Sequence, residues 1–105
     1  MKKALIVGLN NYPGNELNWC DNDAIAIKEL IESNGDGSPN FDVKTIIDSC
    51  SKIQLKESIK KLFADEADIA LLYFSGHGCD FDGGYLCTTD ISNKDYGVQM
   101  TEILQ

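Results

Sequence analysis

Three apolar runs separated by two stretches of helical periodicity constrain this chain more than any other feature. "KALIVGL" opens it, "FDVKTIID" lies in the middle and "DIALLYF" follows. The first is continuously apolar, which marks a strand covered on both faces. In "DNDAIAIKELIESNG", Ala24, Ile27, Leu30 and Ile31 recur at helical spacing; Asp21 or Asn22 is placed to cap the start and Gly35 to end it. Ser51 to Gln54, "SKIQ", has the form of a capping box, and beyond it Leu55, Ile59, Leu62 and Phe63 lie along one face. The links are polar, with Pro13-Gly14 marking one turn and "DGSPN" another. Strand–helix–strand–helix–strand with short links predicts an α/β fold in three layers, a mostly parallel sheet with helices on both faces. Farther on, "GGYLCTTD" reads as a short extended piece, half of a hairpin, and "MTEILQ" as the opening of a third helix. That helix has one or two turns when the sequence ends, so the expected architecture is incomplete at its carboxyl end.

Composition bounds the function. One hundred and five residues with 43% apolar content support a single domain, residues 1–105, with a modest core. Seventeen acids against nine bases give a net charge of −8, which argues against nucleic acid and mildly favours basic partners. No window reaches the roughly 18 continuous apolar residues of a membrane helix, and no secretory signal is recognisable, so a cytoplasmic protein off the membrane is expected. Cys20, Cys50, Cys79 and Cys87 form no C-x-x-C pair. A disulfide framework is not expected, and the spacing matches no common zinc pattern.

Most motif candidates fail. Gly76-x-Gly78 opens a dinucleotide fingerprint, but Phe81 stands at the third glycine position, and no Gly-Lys-Ser/Thr exists for a phosphate loop. "DGSPNFD" alternates oxygen-bearing residues as a calcium loop would, but has Phe41 for the glycine and Ile47 for the glutamate, so it reads as a polar turn. A receiver domain would need acids where Asn10, Asn11 and His77 stand.

"SGHG" survives. It follows the third apolar run, and ligands of open parallel sheets bind in the crevice at the strands' carboxyl ends. His77 is the only histidine, and an imidazole titrates near neutral pH, as a general base requires. Glycine on either side lets backbone approach a substrate and leaves the Gly78 amide free to donate. A core histidine with a purely structural role is the competing reading, and the setting favours function over it.

"KALIVGLNNYPGNELNWCDNDA", "FDVKTIID" and "DIALLYFSGHG", in that order and spacing, resemble the caspase–metacaspase family of cysteine peptidases, the bacterial metacaspase-like branch above all. The resemblance covers nearly the whole chain and implies a caspase-like three-layer fold acting on protein or peptide substrates. It implies that His77 is the base of a Cys-His dyad and that the Gly78 amide helps form the oxyanion hole. It further implies that Asp23 lines an S1 pocket selecting Arg or Lys, with Cys20 beside it. Asp90 and Asp95, in "TTDISNKD", fall where some metacaspases gather calcium-binding acids; otherwise no metal or cofactor is expected.

One element of the family pattern is missing. Its nucleophilic cysteine follows the histidine by about 50 residues, which from His77 lies beyond Gln105. Cys50, in "IIDSCSK", superficially resembles the nucleophile motif, but it ends the second strand. The resemblance implies a sheet with the first strand between the second and third, which puts Cys50 two strand spacings or about 10 Å from the histidine strand. Proton transfer needs hydrogen-bond reach. Cys79 is expected to point elsewhere, and Cys20 has no known role as nucleophile. The expectation is therefore the amino-terminal part of a peptidase domain, inactive by itself and partnered by a carboxyl-terminal fragment that carries the cysteine. A catalytically dead module acting through protein binding, or dimerising at the open sheet edge, is the alternative. A flavodoxin-like binding domain ranks last, because the phosphate loop is absent.

Overall fold

The computed structural model describes residues 1–64, 66–79, 84–92 and 95–103. Strand β1 (Lys2–Gly8) is followed by helix α1 (Cys20–Ile31), β2 (Asp42–Ile47), α2 (Lys52–Ala64) and β3 (Ile69–Ser75). These strands form a parallel sheet in the order β2-β1-β3. Gly8 pairs with Ile47 on one side and Ser75 on the other, so all three carboxyl ends finish level.

The continuous apolarity of β1 follows from its central place. Leu5 and Val7 face a core built with Leu55, Ile59 and Leu62 of α2. Ala4 and Ile6 face the opposite side, against Ala24, Ile27 and Ile31 of α1. Helices thus cover both faces, as the alternating pattern predicts. Two residues of the expected stripes lie outside the core: Leu30 is 73% exposed and Phe63 50%. Each sits at the border of its helical stripe, where a small sheet does not reach.

The caps differ from the sequence reading at α1. Its N-cap is Trp19, in the left-handed region at φ 79, and Asp21 and Asn22 lie inside the first turn. Its last carbonyls are satisfied without Gly35: the returning chain donates Phe41 N–H to Ile31 O and Asn40 N–H to Glu32 O, both at 3.0 Å. At α2 the Ser51 hydroxyl accepts from Gln54 N–H at 3.1 Å, as the capping-box pattern requires of its serine. The "DGSPN" segment is a polar turn, with Asp36 Oδ1 accepting from both Ser38 N–H and Ser38 Oγ; these bonds hold its carboxyl below the usual carboxylate range.

A second, antiparallel sheet follows β3: β4 (Gly78–Cys79), β5 (Tyr85–Ser92) and β6 (Asp95–Gln99), in the order β4-β5-β6. The extended piece anticipated at "GGYLCTTD" is its middle strand, paired on both sides rather than half of one hairpin. Gly97, at φ 126 in β6, lies so close to β5 that a Cβ there would stand 2.2 Å from Leu86 O. Helix α3 (Met100–Ile103) begins where a third helix is expected; Leu104 and Gln105 lie outside the described residues. No described helix is long and apolar enough to cross a membrane.

Candidate active site

The level carboxyl ends of β1 and β3 form a ledge, and the loop after β1 crosses it. Tyr12-Pro13-Gly14-Asn15 makes a turn in which Asn15 N–H donates to Tyr12 O at 3.0 Å. Gly14 takes φ +76, the conformation that proline followed by glycine favours in a type II turn. This turn carries the Asn15 carbonyl to His77, whose Nε2 lies 2.7 Å from it. A carbonyl only accepts, so the proton of this contact sits on Nε2. In a neutral imidazole this contact favours the Nε2-protonated tautomer, with Nδ1 as the acceptor nitrogen.

Gly78 lies in β4 opposite Leu86. Cys87 N–H donates to His77 O at 3.0 Å, which makes His77 and Cys87 a hydrogen-bonded pair. Successive antiparallel pairs alternate, so the Gly78 amide points away from β5. Among the described residues a Cβ on Gly78 would meet only Tyr85 O, at 3.7 Å, whereas one on Gly76 would stand 2.5 Å from the Tyr12 hydroxyl. The two glycines flanking His77 thus serve different ends. Gly76 makes room for a buried side chain, and Gly78 keeps a backbone face open.

Asp23 sits exposed on the first turn of α1. Cys20, at the helix start, is buried at 8% exposure. The approach of α1 to β1 requires Gly8, where a Cβ would stand 2.2 Å from Cys20 O and 2.8 Å from Ala24 Cβ. Sequence reasoning missed Tyr12 and Asn15, and it also missed Asn10, buried just past β1. Its Oδ1 accepts from Cys20 N–H at 3.1 Å, and its Nδ2 donates to Asp21 Oδ1 at 2.8 Å and Asp48 Oδ1 at 3.0 Å. One side chain thereby caps α1 and ties the loops after β1 and β2 together. Its place at a strand's carboxyl end was the only available signal.

The other candidates fall elsewhere. Cys50 is 2% exposed, and burial, with Asp90 adding to it, pushes its thiol up to about 11. That is the opposite of an activated nucleophile, whose thiolate must be accessible. Cys87 is equally buried, at 3%, and the Cys79 side chain lies outside the described residues. Asp90 holds the α2 start: its Oδ1 and Oδ2 both accept from Lys52 N–H at 3.1 Å, and Oδ1 accepts from Thr88 Oγ1. The Asp95 side chain lies outside the described residues. Among the described residues, no three His, Cys, Asp or Glu side chains are grouped to hold a metal ion.

A family model described as "Caspase domain" matches residues 1–105. The chain belongs to the caspase–metacaspase family of cysteine peptidases. Two Arabidopsis thaliana proteins are similar to it. Metacaspase-9 is 34% identical over 87 residues, 71% of this chain and 26% of its own. Metacaspase-4 is 34% identical over 86 residues, 73% of this chain and 20% of its own. The chain therefore spans about a quarter or less of these metacaspases. No solved structure matches it significantly.

Proposed function

We propose that this chain is the base-bearing part of a cysteine endopeptidase domain of the caspase–metacaspase type, whose nucleophile comes from sequence beyond residue 105. The observation that carries the reading is the Asn15 carbonyl on His77 Nε2, which leaves Nδ1 as the proton acceptor. Nδ1 takes the thiol proton, and the thiolate attacks the scissile carbonyl. The Gly78 N–H donates to the oxyanion that forms. The imidazolium then gives its proton to the leaving amine, and water, activated by the same nitrogen, hydrolyses the acyl-enzyme. Asp23, exposed at the start of α1, holds an Arg or Lys side chain N-terminal to the scissile bond. The buried state of Cys20, Cys50 and Cys87 supports a nucleophile elsewhere.

Peptides containing Arg or Lys provide the test. The 105-residue chain is expected to leave them intact. Joined to the segment bearing the family's cysteine, it is expected to cleave after the basic residue and to lose cleavage with His77→Ala. Turnover by the chain alone that survives Cys50→Ala and Cys20→Ala but dies with His77→Ala would overturn the placement of the nucleophile.

A second reading rests on the outer edge of β3, which pairs with no strand among the described residues. Such an edge suits strand addition, so a module that binds or regulates a partner, or pairs with its own copy, would use it. Tolerance of His77→Ala in the cell would favour this reading.

A further inference from the structure

A hydrogen-bonded antiparallel pair ordinarily exchanges two backbone bonds. At His77 and Cys87 only one is direct, Cys87 N–H to His77 O. The return bond is routed through a side chain. His77 N–H donates to the Tyr12 hydroxyl at 3.1 Å, and that hydroxyl donates to Cys87 O at 2.7 Å. The Tyr12 ring also meets the imidazole edge-on, with centroids 4.4 Å apart and planes at 65°. The turn that begins at Tyr12 supplies the Asn15 carbonyl on Nε2. One short loop therefore grips the histidine at its amide, its ring and its distal nitrogen.

We propose that Tyr12 is a positioning residue for His77: its hydroxyl replaces one rung of the β4–β5 ladder and fixes the backbone and ring plane from which Nδ1 must act. The inference rests on reading His77 as the base. Two independent features fit it. Tyr12 is 1% exposed, and a tyrosine buried only for its ring would leave a hydroxyl to be satisfied, whereas here both its donor and acceptor capacities are used. Gly76, immediately before the histidine, is where a Cβ would strike that hydroxyl at 2.5 Å. Burial also pushes the phenol up to about 12, so the hydroxyl remains a donor at any working pH.

The substitution Tyr12→Phe keeps the ring and removes the rung. Because His77 is the only histidine, its imidazole nitrogens give unambiguous NMR signals. The wild-type chain is expected to show the Nε2-protonated tautomer. The variant should shift towards a mixture with the Nδ1-protonated form, and its His77 amide signal should move. In a polypeptide joining the chain to the cysteine-bearing segment, kcat should fall roughly ten- to a hundredfold with KM within about twofold. A folded Tyr12→Phe chain with unchanged tautomer, or an unchanged kcat in the joined polypeptide, overturns the proposal. If Tyr12→Phe does not fold, Gly76→Ala drives a Cβ against the hydroxyl and should give the same signature; an unaltered imidazole there overturns it equally. Full turnover in His77→Ala would instead sink the base reading, and the imidazole spectrum would still judge Tyr12.

Discussion

At the scale of single residues, two buried acids that ionise only at high pH make the fold sensitive to alkali. Burial raises the Cys50 thiol from 9.0 to about 11 and the Tyr12 phenol from 10.0 to about 12. Above pH 9 the unfolded chain gives up the thiol proton while the folded chain holds it, so the unfolded state gains. The stability these groups contribute is complete below about pH 9 and drains away as pH rises towards 11 and 12. Urea unfolding from pH 7 to 11 should show a falling midpoint, and Cys50→Ala should flatten the slope just above pH 9. A Cys50→Ala slope matching the wild type would mean that the thiol ionises alike in both states. The same burial predicts slow alkylation of Cys50 in the native chain.

At the scale of elements, α2 is held at its amino end by a residue from a different sheet. Asp90 of β5 accepts from Lys52 N–H with both oxygens and from the Thr88 hydroxyl, and Thr88 is fully buried. Asp90→Ala removes a cap and leaves the buried Thr88 hydroxyl without that partner, an expected cost of about 1–2 kcal/mol. Asp90→Asn keeps an acceptor and should recover most of the loss. Equal destabilisation by both would mean that charge rather than capping matters. This contact also shows where sequence reading stops. The parallel sheet and its two helices were legible because each element carries its own period: β1 is apolar throughout, and Leu55, Ile59 and Leu62 repeat at helical spacing. Asn10 and Asp90 were illegible as caps because each reaches a helix start from a different element, Asn10 from just past β1 and Asp90 from within β5. The second sheet was half legible, since β4 has two residues and no period of its own. Within the site, "SGHG" made His77 conspicuous, but nothing in the sequence said that Tyr12 and Asn15, more than 60 residues earlier, would close around it.

At the scale of the whole molecule, the two edges of the parallel sheet are unlike. The β2 edge carries the exposed side chains of Asp42, Lys44 and Thr45, the polar dressing that discourages strand addition. The β3 edge is apolar along Ala70, Leu72 and Phe74, with Ile69 46% exposed at its start. Ser75 turns its carbonyl to Leu9 N–H in the β1 direction, so by alternation Phe74 and Leu72 turn their backbone groups outward. An added strand would satisfy those groups and cover the apolar side chains together. Sedimentation at increasing concentration should therefore find the 105-residue chain associating, and Ile69→Lys should weaken that association several-fold without lowering the unfolding midpoint. Joining the cysteine-bearing segment should abolish it if that segment adds a strand to β3, as the peptidase reading expects. A joined polypeptide that still associates through β3 would favour a module whose edge is meant for another chain. A monomeric 105-residue chain would show that the β3 edge does not pair with its own copy, and the self-pairing reading would fall.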